Sequence, residues 1–277
     1  MLSNGLGPST SAPNGINNWF IALTALFLHG WHPETINSVV PGGWSIAVEM
    51  TFYLFTPYFF RKINDTTSAL AFLFGSLILA PISSSLITDF FRPYFPDTQQ
   101  YLINTFTFYW FFEQLPVFAL GILLYHIIKK YPQKNRMAGF IFLLISLFLF
   151  WIFLKPSKYN YLLPTHFLYG LSFVCLALSL YFWPHIFLVN RLTTFIGRLS
   201  FSIYLVHFIV RDKVAWMFVT NGILLPGNKG FALAFLIILT ISMGISYITY
   251  KIVEIPGINF GGRVIKWYRQ AKIQKSA

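Results

Sequence analysis

The chain has 277 residues, of which 56% are hydrophobic, 20% aromatic and only 10% charged. A soluble domain carries about 25% charged residues, and a soluble fold of this length could not bury so much apolar surface. The composition therefore excludes a soluble protein and indicates an integral membrane protein. The net charge of +12 resembles that of a nucleic-acid-binding protein. However, the basic residues form short clusters between apolar runs, as orientation in a membrane requires, so no nucleic-acid partner is expected.

Apolar runs of a length that can cross a bilayer as helices predict an all-α bundle of about seven or eight transmembrane helices. They cover residues 15–30, 44–60, 68–88, 115–128, 137–154, 162–183, 199–219 and 231–252. The fourth run is short, so it either extends backward through "TFYWFFEQ" or lies partly in a cavity. We divide the chain into an N-terminal segment (1–14), one membrane domain (15–254) and a basic tail (255–277).

The loop charges predict the orientation of the bundle. With the basic tail in the cytoplasm, fourteen of the twenty Lys and Arg residues fall on the cytoplasmic side, as the positive-inside rule requires. One difficulty is the "RDK" at 211–213, which lies inside the seventh predicted span. Either that helix ends near Val210, or its charges face a polar cavity.

Glu49 is the acidic residue that lies well inside an apolar span without a basic neighbour in sequence. Glu113 and Glu254 lie at span ends. On a helix, Ser45, Glu49, Tyr53 and Thr56 share one face and form a polar stripe. Acids inside a membrane are functional by default. The alternative is a buried Glu49 that anchors helix packing through a hydrogen bond.

A second polar stripe follows from the spacing of Ser200, Tyr204, His207 and Arg211, which also share one helix face. Histidine titrates near neutrality and can transfer protons, although it can equally be a satisfied core residue. Glu49 and His207 on separate helices facing one cavity would form an acid/base site. We therefore predict that both stripes line a shared cavity. No metal-ligand spacing occurs, and Cys175 is expected to be an apolar packing residue.

Four motifs carry a resemblance to a known family. "PGGWSIAVEMTFYLFTPYF" resembles the Trp-Ser-Leu-x-x-Glu-x-x-Phe-Tyr-x-x-x-Pro signature of the membrane acyltransferase-3 family, and "IGRLSFSIYLVHFIV" resembles its Gly-x-x-Ser-Tyr-Ser-x-Tyr-Leu-x-His helix. "LPVFALGILLY" and "KIVEIPGINFGGR" are similar to two weaker motifs of the same family. The order and spacing agree over nearly the whole chain. The first motif places these residues on family positions: Trp44, Ser45, Glu49, Phe52, Tyr53 and Pro57.

The resemblance implies a multi-pass enzyme of the bacterial inner membrane, in contact with membrane lipid. It would transfer an acyl group, expected to be acetyl, from acetyl-CoA or another acyl-CoA to a hydroxyl of a polysaccharide or lipid-linked sugar. Acyl-CoA is then a donor substrate, and no bound cofactor is expected. We predict Glu49 and His207 as catalytic residues, with Glu49 either orienting the base of the complete enzyme or holding a sugar hydroxyl. The predicted substrate-binding residues are Trp44, Ser45, Tyr53, Ser200, Tyr204, Arg198 and Arg211.

The sequence departs from the family at its start. Family members begin with an Arg-x(10)-His helix, whose histidine is regarded as the catalytic base, and none of the first three family segments occurs in these 277 residues. Either the chain is a fragment, or it acts beside a partner that supplies the missing helices. We expect the 277-residue chain alone to be inactive. Outside the family, the alternative is a proton-coupled transporter or flippase-like protein, which would tend to show two related halves.

Overall fold

The computed structural model describes residues 9–40, 42–131, 135–154, 163–220 and 227–276. Regular structure within these ranges is helical, which confirms the predicted all-α fold. The α-helices are α1 (Asn18–Ala25), α2 (Trp44–Lys62), α3 (Thr66–Phe91), α4 (Gln100–Tyr109), α5 (Phe111–Lys130), α6 (Arg136–Leu154), α7 (Thr165–Phe182), α8 (Arg191–Thr220), α9 (Gly227–Thr249) and α10 (Ile255–Ser276).

Five helical stretches in the described ranges are long and apolar enough to cross a membrane. They are Thr66–Tyr94, Asp97–Lys130, Thr165–Phe182, Arg191–Thr220 and Gly227–Tyr268, and Arg136–Ile152 is a shorter apolar helix. Seven of the eight predicted spans coincide with helices, namely α2, α3 and α5 to α9. The apolar runs therefore located helices correctly, with one exception, and five of these helices (α3, α5, α7, α8 and α9) belong to stretches that can cross a membrane.

The exception is the predicted span over residues 15–30, which was wrong. Helix α1 has only eight residues. At a rise of about 1.5 Å per residue it covers about 12 Å, far less than the roughly 30 Å of a bilayer core. The chain then turns at Phe27, whose φ of 59° lies in the left-handed region. A single turn of 3₁₀ helix, His29–Trp31, follows before the chain reaches α2.

The fourth predicted span was short, and one of its two alternatives was an extension backward along the chain. The structure has this extension. Helix α5 begins at Phe111, and α4 precedes it after a break at Trp110, whose backbone is extended. The Gln114 side chain spans the break, since its Nε2 donates to the Phe108 carbonyl oxygen at 2.8 Å. Glu113 lies in the first turn of α5, next to this break.

The chain divides into two compact units, Met1–His185 and Ile186–Ala277. In the first unit, α3 packs along α5, α5 against α7, and α7 along α6. The core at the centre of this unit is apolar and is built on α5, with Leu115, Ala119 and Leu120 at most 4% exposed. Helix α2 adds Val48 and Phe52 to the same core.

A capping box determines where α3 begins after α2 ends at Lys62. The Ser68 backbone N–H donates to Asp65 Oδ1 at 2.7 Å, and the Asp65 backbone N–H donates to Ser68 Oγ at 3.2 Å. This pair satisfies two backbone donors at the start of the helix. The hydrogen bonds from Ser68 also lower the pKa of Asp65, because they stabilise its carboxylate form.

In the second unit, α8 packs along α9. Helix α8 runs without interruption through residues 211–213, so the possibility that it ends near Val210 is excluded. Helix α9 leads through a π-helical turn, Tyr250–Glu254, into α10. Residues 255–276, which we predicted as the basic tail, are thus helical.

Candidate functional site

The polar stripe of α2 lies beside the packed face of the helix rather than on it. The packed face consists of Ala47, Val48, Thr51 and Phe52. Within the stripe, the side chains of Ser45, Glu49 and Thr56 are half-buried, and Tyr53 is 54% exposed. Leu54, next to Tyr53 in sequence, is 78% exposed. The stripe therefore borders the unit core and remains accessible.

Glu49 and Tyr53 form a hydrogen-bonded pair within this stripe. The Tyr53 hydroxyl donates to Glu49 Oε1. Among the residues that the structure describes, Glu49 Oε2 has no hydrogen-bond partner. Tyr53 thus orients the carboxylate and leaves one oxygen able to accept a further hydrogen bond. No other helix of the described chain donates a hydrogen bond to Glu49, so no such bond anchors it to a neighbouring helix within the described residues.

Trp44 and Ser45 lie at the first turn of α2. The Trp44 ring stacks on Tyr109 with a centroid distance of 4.3 Å, and Ser45 Oγ donates to the Gly42 carbonyl oxygen at 3.3 Å. His29 Nε2 lies 3.0 Å from the carbonyl oxygen of Gly43, the residue immediately before the helix. These contacts fix the start of α2 and hence the position of Glu49 one turn later.

In the second unit, the predicted stripe of α8 borders the buried face formed by Leu199, Ser202, Val210 and Val214. Ser200 is exposed, and Tyr204 and His207 are half-buried. His207 Nδ1 lies 2.7 Å from the Tyr204 carbonyl oxygen. Since a carbonyl can only accept, Nδ1 carries the ring proton and the Nε2 lone pair is available in the neutral ring.

Arg211 at the end of this stripe is engaged by its neighbour. Its guanidinium forms an ion pair with Asp212 at 2.8 Å and lies 5.2 Å from the centre of the Phe208 ring. The two charged side chains are 52% and 40% exposed. This pair accounts for the charges of Arg211 and Asp212 inside α8, whereas Lys213 is exposed.

Arg198 belongs to a basic cavity at the start of α8. The cavity has a volume of about 440 Å³ and is lined by Val189, Asn190, Arg191, Thr194, Phe195 and Arg198. Asn190 caps the helix, because its Oδ1 accepts from the backbone N–H groups of Leu192 and Thr193 at 3.0 Å. Both arginine side chains are exposed.

A polar cluster in the first unit was missed by the sequence analysis. Ser84 Oγ donates to Glu113 Oε2 at 2.8 Å, and Trp110 Nε1 donates to Ser84 Oγ at 3.3 Å. His166 Nε2 lies 3.1 Å from the Glu113 carbonyl oxygen and 4.0 Å from its Oε1. The Glu113 and His166 side chains are both only 14% exposed. The cluster joins α3, α5 and α7 through a buried acid and a buried histidine.

This cluster could have been found by comparing the positions of polar residues along the membrane normal. The predicted orientation places the end of α3 and the starts of α5 and α7 at the same, outer, end of the bundle. Ser84, Glu113 and His166 are each close to one of these three ends. We assigned Glu113 to a span end and considered it alone, although three polar residues at one depth indicate a polar layer.

Replacing Ser84 by Ala is expected to destabilise the first unit by about 1–3 kcal/mol, because Glu113 loses a buried donor. Ser83→Ala is the matched control. Ser83 Oγ donates only to the Ala80 carbonyl oxygen of its own helix, so its loss should cost less. Thermal unfolding of both variants in the same detergent measures the difference. Equal unfolding temperatures would show that the bond between Ser84 and Glu113 adds nothing to stability.

The second unit contains a comparable bond that the sequence analysis also missed. Ser202 Oγ donates to Glu254 Oε2 at 2.9 Å, which links α8 to the π-helical turn. Ser202 is 4% exposed, whereas the predicted stripe residue Ser200 is exposed. The inward-facing serine is therefore Ser202, two positions after Ser200.

The prediction that Glu49 and His207 line one shared cavity stays a prediction, since the two residues belong to separate units.

Comparison with known proteins gives one match. The model of a family described as an acyltransferase domain matches residues 4–251, which are 248 of the 277 residues. The matched region contains both polar stripes, the buried cluster around Glu113 and the basic cavity of α8. No curated protein and no solved structure matches the chain.

Proposed function

The chain belongs to the membrane acyltransferase-3 family, and on that premise we propose that it transfers an acetyl group from acetyl-CoA to a hydroxyl of a cell-surface polysaccharide or lipid-linked sugar. The proposed location is the bacterial inner membrane. The observation that carries the proposal is the pair of Glu49 and Tyr53 within the apolar helix α2. Glu49 lies in the second turn of α2, and ionisable residues inside membrane helices are costly and usually functional, which favours a function for it.

The reaction requires a proton acceptor and a site for developing negative charge. The acceptor hydroxyl loses its proton as its oxygen bonds to the thioester carbon, and the carbonyl oxygen becomes a tetrahedral oxyanion. The carbon–sulfur bond then breaks, and CoA leaves as a thiolate that takes up a proton. The products are the acetyl ester of the sugar and CoA.

Glu49 and His207 provide proton acceptors for this chemistry. Glu49 Oε2 can accept a hydrogen bond from the sugar hydroxyl while Tyr53 holds Oε1. The Nε2 lone pair of His207 can accept a proton, because Nδ1–H is directed to the Tyr204 carbonyl oxygen. The half-buried position of both side chains leaves them accessible to a substrate.

The basic cavity of α8 is proposed to bind the phosphates of acyl-CoA. Arg191 and Arg198 contribute two guanidinium groups to one cavity, and guanidinium groups bind phosphate through paired hydrogen bonds. Phe195 adds an aromatic ring to the same lining, on which an adenine base could stack. The loop charges predict that this end of α8 lies in the cytoplasm, where acyl-CoA is found.

We expect the double variant Arg191→Ala, Arg198→Ala to raise the KM for acetyl-CoA by at least about tenfold, since each charged hydrogen bond contributes roughly 1.5–3 kcal/mol. The KM for the acceptor should be unchanged. Arg61→Ala, which removes an exposed arginine from the end of α2, is the matched control. An unchanged KM for acetyl-CoA in the double variant would show that these arginines do not bind the donor and serve only to orient the chain in the membrane.

The proposed function itself is tested with labelled acetyl-CoA. Because the chain alone is expected to be inactive, membrane vesicles are taken from bacterial cells that express the protein together with the first helices of the family, and they are incubated with acetyl-CoA carrying a labelled acetyl group. We expect alkali-labile label to appear in the polysaccharide or lipid-linked sugar fraction, because O-acetyl esters hydrolyse in base. Label that appears only in lipid or protein would reject a glycan as the acceptor.

A further inference from the structure

Loops at one end of the first unit line an open cavity that plays no part in the chemistry described above. It has a volume of about 440 Å³, within the range of roughly 300–1,000 Å³ typical of small-molecule sites. Its walls come from the residues before α1, the connection from α1 to α2 and the connection from α3 to α4. The lining residues are Asn14, His32, Glu34, Tyr94, Phe95, Pro96 and Gln99.

The walls of this cavity are fixed by packing and hydrogen bonds. The His32 ring contacts the rings of Trp19 and Phe91 edge-on, with centroid distances of 5.3 and 5.4 Å. Thr35 Oγ1 donates to the His29 carbonyl oxygen at 2.8 Å, which closes the turn between them. On the opposite wall, Gln100 Nε2 donates to the Phe95 carbonyl oxygen at 2.6 Å. The cavity is therefore preformed.

The polar side chains of the lining are available to a ligand. Asn14, Glu34, Tyr94 and Gln99 form no side-chain hydrogen bond with any residue that the structure describes. Together they offer two amides, a carboxylate and a phenol. These groups can donate to and accept from several hydroxyl groups of one ligand.

His32 completes the set as a neutral donor. Its Nδ1 accepts the backbone N–H of Glu34 at 3.3 Å, so the ring proton is on Nε2. Burial lowers the pKa of His32, an effect that the nearby Glu34 carboxylate partly opposes, and the ring is therefore neutral at pH 7. The seven lining residues include no lysine or arginine. This charge distribution disfavours phosphates and other anions, and favours an uncharged ligand rich in hydroxyl groups.

We propose that this cavity binds one sugar ring of the acceptor glycan. The loop charges predict that it opens on the outer side of the membrane, where a cell-surface glycan is found. The Tyr94 ring, 72% exposed, and Pro96 supply apolar surface for the C–H face of the sugar. The proposal rests on the proposed function and identifies where part of the acceptor is held.

The experiment measures sugar binding without an acyl donor. The full chain in lipid nanodiscs is examined by saturation-transfer difference NMR with methyl glycosides of glucose, galactose, mannose and N-acetylglucosamine. We expect at least one of these sugars to bind, and Glu34→Gln combined with Gln99→Ala to weaken binding by about fivefold or more. Gln99→Trp should abolish binding by filling the cavity. Asn104→Ala on α4, outside the cavity, is the control and should bind like the unsubstituted chain.

Two results would overturn the proposal. One is the absence of saturation transfer with all four glycosides while the protein retains its unfolding temperature. The other is equal binding by the unsubstituted chain and Gln99→Trp. If the chain binds a sugar through this cavity but transfers no acyl group, the proposed function fails and the binding site stands. If it transfers acyl groups and Gln99→Trp leaves the acceptor KM unchanged, the binding site fails and the function stands.

Discussion

Replacing Glu49 by Gln is expected to lower the rate of acetyl transfer by at least about 100-fold, because general acid–base groups contribute on the order of 10²–10⁴ in rate. Gln keeps the shape of the side chain and an oxygen that can accept from the Tyr53 hydroxyl. It lacks the charge that would receive the proton of the acceptor hydroxyl. The rate is measured in membranes in which the unsubstituted protein transfers labelled acetyl groups to glycan.

Two controls separate chemistry from packing in this experiment. Asp89→Asn removes a carboxylate that is 70% exposed at the end of α3, and it should leave the rate unchanged. Tyr53→Phe removes the donor to Glu49 and should reduce the rate less than Glu49→Gln does, since the carboxylate remains. Full activity of Glu49→Gln would reduce Glu49 to a packing residue of α2.

Hydropathy predicted most of the fold because membrane helices must satisfy their backbone hydrogen bonds internally and must be long enough to cross the bilayer. These two requirements define α3 and α5 to α9 almost from composition alone. They fail for residues 15–30, where the run is apolar but a left-handed residue, Phe27, ends α1 after eight residues. Local backbone geometry of this kind is not encoded in hydropathy.

Helical spacing predicted which residues share a face, but not which face packs. On α2, the stripe through Glu49 and the packed face through Val48 and Phe52 differ by about one position, or 100°. On α8, exposed Ser200 and buried Ser202, which bonds Glu254, are two positions or about 200° apart, and so lie on nearly opposite sides of the helix. The choice between such faces depends on neighbouring helices and therefore on tertiary contacts.

The cluster of Ser84, Glu113 and His166 could not be derived from spacing, because its members lie on three helices. Such contacts depend on how α3, α5 and α7 pack against one another. Depth along the membrane normal reduces the number of possible contacts between polar residues of different helices, because each helix places only a few polar residues at a given level. The depth that Glu113 shares with Ser84 and His166 marks it as a second intramembrane acid.

Replacing His207 is expected to lower the rate of acetyl transfer as much as replacing Glu49. Two amide variants distinguish a role of His207 in proton transfer from a role in packing. His207→Asn places an amide N–H near the position of Nδ1, so the hydrogen bond to the Tyr204 carbonyl oxygen can persist. It has no equivalent of the Nε2 lone pair. If Nε2 accepts a proton in the reaction, His207→Asn should lose about 100-fold or more in kcat with a near-normal unfolding temperature.

His207→Gln provides the complementary test, because its longer side chain moves the amide away from the Tyr204 carbonyl oxygen. We expect it to be both inactive and less stable, by about 0.5–1.5 kcal/mol for the lost hydrogen bond. A packing role predicts the opposite order, with His207→Asn active and only His207→Gln impaired. Comparison of kcat and unfolding temperature across the two variants therefore decides whether the ring acts through Nε2 or only through its hydrogen bond to the Tyr204 carbonyl oxygen. The test needs no knowledge of the acceptor sugar, since both variants are compared with the unsubstituted protein on the same glycan.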